Sequence, residues 1–166
     1  GDDHDGQWGT EHRFGWGETR YQQGLMCVVA DRLTREAVWD AMYARRTIAT
    51  TGTRMLLEYE LNGEPLGSEL SATRDPSLAA ARRLAVRFHG TAPAERIDII
   101  RNNRVVHSVP GAGREDIEVE WTDREPLDGL WMPAAKHWSR PFCFYYVRVI
   151  QADGEAGWAS PVWVDP

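Results

Sequence analysis

The stretch Met55-Leu56-Leu57-Glu58-Tyr59-Glu60-Leu61-Asn62-Gly63 decides how the chain is read. Met55, Leu57, Tyr59 and Leu61 share one face of a period-two pattern, with Leu56, Glu58 and Glu60 on the other, as in a half-buried strand. Asn62-Gly63 then supplies two residues that tolerate the positive φ of a tight hairpin turn. The same period recurs further along. Leu84, Val86 and Phe88 alternate with Ala85, Arg87 and His89. Ile97 and Ile99 lead into an Asn102-Asn103 turn, and residues 104–109 return as the partner strand. Ile117, Val119 and Trp121 alternate with Asp116, Glu118 and Glu120. Residues 142–151 give the longest expected strand, with Tyr145, Val147 and Val149 on one face, and Asp153-Gly154 turns the chain into a last strand over 161–164. Roughly seven short strands separated by polar turns predict a mainly β fold, an antiparallel Ig-like β-sandwich over residues 53–166.

Upstream the pattern is different. Residues 1–24 are rich in glycine and show neither helical nor strand periodicity, which is the composition of a loop. Residues 25–30 form a short apolar run suited to a buried strand. A helix is expected over about 34–46, with Thr34 as N-cap, Glu36 in the first turn and Arg45-Arg46 in the last. Val38, Ala41, Met42 and Arg45 lie on one stripe, the side expected to pack. The domain boundary falls near Gly52.

The 166 residues suffice for one domain and a remnant of another. With 19 basic against 25 acidic residues the net charge is −6, which argues against a general nucleic-acid binder. No apolar run approaches the ~18 residues of a membrane span, and the acidic opening Gly1–Asp5 does not read as a signal peptide. Cys27 and Cys143 sit in apolar runs and read as small buried thiols. His89 and His107 fall on the polar phase of their strands and read as surface residues; His137, in a loop, has no partner that the sequence names. There is no phosphate-binding glycine loop, dinucleotide fingerprint or nucleophile elbow. Among the eight tryptophans, Trp8, Trp16, Trp131 and Trp138 stand in Gly- or Pro-containing stretches, where loops carry function.

Asp2-Asp3-His4-Asp5 concentrates metal-type ligands, and a carboxylate and an imidazole two residues apart can address one ion. The run Gly1–Gly9 resembles the late Asp-x-His motif of PHP-type (polymerase and histidinol phosphatase) phosphoesterases. Further anchors are Thr34–Ala41 leading into Arg45–Gly52, Glu60–Gly63 with Leu66–Glu69, and Tyr145–Val149 through Gln151–Gly154 to Trp158–Val164. With these, most of the chain resembles the C-terminal part of a bacterial PHP-related family, domain of unknown function 3604.

The resemblance implies that residues 1–52 are the end of a PHP-like β/α barrel, a loop and one helix, followed by an accessory sandwich. Asp2 and His4 fall on the motif's two ligand positions, and the implied cofactor is a divalent Zn, Mn or Fe that activates water against a phosphoester. The family's early His-x-His pair is absent, so the chain is expected to hold no metal tightly and to be inactive alone. Trp8, His12 and Arg13 would form the substrate-side loop. The implied partner is the N-terminal barrel of the same polypeptide, with no nucleic acid or membrane; an exposed apolar surface could also serve a homodimer. The alternative is a free-standing β-sandwich module that binds a carbohydrate or protein ligand through loop tryptophans.

Overall fold

The computed structural model describes residues 24–134 and 140–166. Twelve strands and two helices follow in the order β1 Leu25–Val28, α1 Arg35–Tyr43, β2 Thr47–Thr50, β3 Leu56–Leu61, β4 Glu64–Pro65, β5 Glu69–Ser71, α2 Ser77–Ala80, β6 Arg82–His89, β7 Ala94–Arg101, β8 Arg104–Pro110, β9 Asp116–Asp123, β10 Cys143–Gln151, β11 Ala156–Ala159 and β12 Val162–Asp165. They build two sheets. The smaller runs β4-β3-β6-β9; the larger runs β1-β2-β11-β10-β12-β5, with β7 and then β8 on the opposite edge of β10. Every pairing is antiparallel except β5 with β12.

The alternation read from the sequence accounts for the core. Met55, Leu57, Tyr59, Leu61, Leu84, Val86, Phe88, Ile117 and Val119 from the smaller sheet meet Ile97, Ile99, Tyr145, Val147, Val149, Val162 and Val164 from the larger. The Tyr59 hydroxyl crosses between the sheets, donating to the carbonyl oxygens of Tyr145 at 2.8 Å and Ser160 at 3.0 Å. Burial pushes its pKa up, so it remains a donor. Both expected tight turns have left-handed pairs, with φ of 52° and 89° at Asn62-Gly63 and 48° and 63° at Asn102-Asn103.

The fold departs from the sequence reading in several places. The strand expected within residues 25–30 is β1, and the described strands exceed those expected because β2, β4, β5 and β11 were hidden in short segments. The last strand is double: β11 and β12 run along the same edge of β10, interrupted at Ser160-Pro161, where proline cannot donate to the ladder. The helix stops at Tyr43 rather than near 46; Arg45 takes φ 59°, and neither Arg45 nor Arg46 lies in its last turn. On the expected packing stripe only Ala41 is buried, while Met42 is exposed. His107 is half-buried, stacked on Trp121 at 5.3 Å, rather than a surface residue. Cys143 is buried, Cys27 half-buried, and both are free thiols. No described helix is long and apolar enough to cross a membrane.

Candidate functional site

Asp2, His4, Trp8, His12 and Arg13, the residues on which the sequence reading rests its site, lie outside the described residues, as do Trp16, His137 and Trp138. Among the described residues no three His, Cys, Asp or Glu side chains come together as a metal site. Trp131, a further loop tryptophan, packs against the core.

What the described part does present is a corner built from β1 and α1. Thr34 caps the helix, its hydroxyl accepting from the Ala37 N–H at 3.2 Å. At the other end the left-handed Arg45 reverses the chain, and the Arg46 N–H returns to the Ala41 carbonyl at 2.9 Å. The Arg45 guanidinium donates to the Gly67 carbonyl at 3.1 Å and to Glu69 at 2.7 Å, and lies 5.2 Å over the Trp163 ring. Gly67, at φ 89°, lies so close that a Cβ would fall 2.3 Å from the Ala44 carbonyl oxygen. The helix end is therefore clamped to the larger sheet and the Gly67 turn beside it.

That outward face is apolar. Leu33 is 96% exposed, Tyr43 80% and Trp39 65%, with Met42 and, on β1, Leu25 and Met26 also open to solvent. Leu33, Thr34, Arg35, Val38, Trp39 and Met42 line a shallow groove. Isolated exposed apolar side chains are ordinary, whereas these are clustered. The sequence held a signal for it. Trp39 and Tyr43 stand four residues apart on one side of the helix while Ala41 lies on another, and a helix apolar on two sides has two neighbours to satisfy. Behind α1 is a polar cavity of about 590 Å³, lined among others by Asp31, Arg32, Glu36, Asp40 and Arg46.

Two ionic clusters lie in the two sheets away from this corner. Fully buried Arg82 donates to the carbonyls of Leu78 and Ala79, to that of Glu125 and to the Tyr145 hydroxyl. Asp123 lies 3.3 Å from it and accepts from Arg101 at 2.6 Å and Tyr145 at 2.7 Å. On the outer face of the larger sheet, buried Asp98 accepts from Arg148 at 2.7 Å and Ser108 at 2.7 Å, with Arg96 alongside. Burial raises both carboxyls, but it is outweighed: the Arg148, Ser108 and Arg96 bonds hold Asp98 below the usual range, and Tyr145, the Glu125 backbone, Arg101 and Arg82 do the same for Asp123. The buried Cys143 thiol is pushed up to about 11 and is no nucleophile at neutral pH. Since the unfolded carboxyls protonate first as pH falls, stability from these clusters is complete above about pH 4 and drains away below it. Urea unfolding between pH 7 and pH 2 is expected to show this acid limb, and Asp98→Asn is expected to shrink it.

Residues 5–76 match the family described as protein of unknown function (DUF3604). The matched span includes β1, α1 and β2, and begins just after Asp2 and His4. An uncharacterized protein of Chlamydia pneumoniae is 37% identical over 151 residues, covering 89% of this chain and 24% of that protein. An uncharacterized protein of Chlamydia trachomatis is 34% identical over 154 residues, covering 93% and 24%. The chain thus spans about a quarter of the length of the curated relatives it matches. No solved structure matches it.

Proposed function

We propose that the chain is an accessory β module of a larger PHP-like metal-dependent phosphoesterase, seated on the catalytic body through the β1–α1 corner and inactive alone. The observation that carries the reading is the outward face of α1. Leu33, Trp39 and Tyr43 are held open to solvent by a clamped helix in a module whose core is otherwise closed, and the relatives are about four times as long. The phosphoesterase part rests on the resemblance of Asp2-Asp3-His4 to the Asp-x-His motif. Two ligands cannot close a metal site, so Asp2 and His4 would complete a set whose other members come from the body. Trp8, His12 and Arg13 would then face the substrate. Of the loop tryptophans on which the binding-module alternative would draw, Trp131 packs against the core and Trp8, Trp16 and Trp138 lie outside the described residues.

The test has two arms. This chain, supplied with Zn, Mn or Fe, is expected to hydrolyse an aryl phosphate no faster than background; turnover that disappears in Asp2→Ala would contradict the reading. In the larger protein, His4→Ala is expected to lose bound metal and hydrolysis together while the sandwich stays folded. Unchanged metal content by elemental analysis would remove His4 from the site.

A further inference from the structure

We infer that the edge of β1 turned away from β2, which no other described strand covers, is a strand-addition site, and that its occupant is an extended apolar segment from the remainder of the larger polypeptide. The inference rests on the accessory-module reading and specifies how the module is held. A strand at a sheet edge exposes unpaired N–H and C=O groups, and proteins ordinarily protect such edges with charge, proline, bulges or brevity. Among the described residues, the other edge strands follow that rule. β9 carries Asp116, Glu118 and Glu120 in alternation. β8 has Arg104, His107, a terminal Pro110 and a register shift against β7. β4 is two residues long and includes Pro65, and β5 is three residues long and begins with Glu69.

β1 breaks the rule. Its sequence is Leu25-Met26-Cys27-Val28, without charge or proline, and it pairs with β2 in unbroken register from Leu25↔Thr50 to Val28↔Thr47. Among the described residues β2 is its only strand partner. The Val29 N–H bonds inward to the Arg46 carbonyl at 2.9 Å. Antiparallel ladders alternate, so Cys27 and Leu25 also face β2, and Met26 and Val28 turn their N–H and C=O groups outward. An incoming strand would meet two donors and two acceptors in line. It would also cover the Leu25 and Met26 side chains, which are 41% and 56% exposed.

The larger polypeptide fits this edge better than a second copy does. The edge lies beside α1, so both would be covered in one docking event. The family-matched span encloses this corner and stops at residue 76, before most of the sandwich. About three quarters of each curated relative lies outside the matched region, ample chain to supply one strand.

Residue-resolved amide exchange tests it in this chain and in the full-length Chlamydia pneumoniae relative. In this chain alone, Met26 and Val28 are expected to exchange freely while Cys27 is protected. At the aligned positions of the full-length relative, all three are expected to be protected, the outward pair slowed by at least about a hundredfold. Free exchange of the outward pair in both proteins overturns strand addition. If the side chains aligned with the α1 face are nevertheless shielded in the full-length relative, docking survives and only its strand contact falls. If that face is also open, the accessory-module reading falls too. Protection of the outward pair in this chain alone also overturns the proposal: if it rises with concentration a second copy is the occupant, and if it does not the edge is covered from within this chain.

Discussion

Replacing Arg82 by alanine is expected to destabilise the chain by about 3–5 kcal/mol, read as a drop in the urea midpoint with an unchanged slope. The side chain is fully buried, and truncation leaves a cavity where one of the largest core groups stood. It also strips donors from the carbonyls of Leu78, Ala79 and Glu125 and from the Tyr145 hydroxyl. Orphaned buried acceptors cost their full desolvation. The loss is not the worth of the Arg82–Asp123 pair, because Asp123 keeps Arg101 and Tyr145. Arg82→Met separates the contributions: it restores most of the volume but no donor, so it is expected to recover only part of the stability. Full recovery would show that packing, and not the hydrogen-bond fan, makes Arg82 matter.

Gly67→Ala is expected to cost about 2–4 kcal/mol, combining a left-handed backbone forced on a residue with a Cβ and an overpacked contact. The Cβ would lie 2.3 Å from the Ala44 carbonyl oxygen and 2.7 Å from that of Arg45, and backbone atoms cannot rotate away as a side chain can. The strain falls on the clamp that orients α1. The helix is therefore expected to loosen before the sandwich unfolds, with amides of Arg35–Tyr43 exchanging faster than those of β6 and β10. Uniform acceleration throughout would show that the clamp and core are one cooperative unit.

The strands of the core were legible because one face of each is buried and the other is wet, which writes a period of two into Met55–Leu61 and Leu84–Phe88. The turns were legible because Asn62-Gly63 and Asn102-Asn103 tolerate positive φ. The helix end was not, since Arg45 adopts a left-handed conformation that its type rarely takes and is held there by tertiary bonds to Gly67 and Glu69. Arg82 and Asp123 could have been found: each stands in phase with its strand's apolar face, Arg82 with Leu84 and Val86, Asp123 with Ile117 and Val119. Asp98 could not, because it stands out of phase with Ile97 and Ile99 and its partners Arg96, Arg148 and Ser108 come together only in the folded sheet. Of the candidate site, sequence named Asp2, His4, Trp8, His12 and Arg13 by resemblance, and all lie outside the described residues. The outward face of α1 is less legible, because Val38, Ala41 and Met42 already make one apolar stripe and Leu33, Trp39 and Tyr43 form a second apolar side beside it.

Side-chain radical footprinting of the α1 face addresses the central claim most directly. Oxidation at Leu33, Trp39, Met42 and Tyr43 in this chain is compared with oxidation of the aligned segment in the full-length Chlamydia pneumoniae relative. The accessory-module account predicts rapid labelling in this chain and strong shielding in the full-length protein, with core strands equally protected in both. Equal, rapid labelling of the helix in both proteins would contradict it.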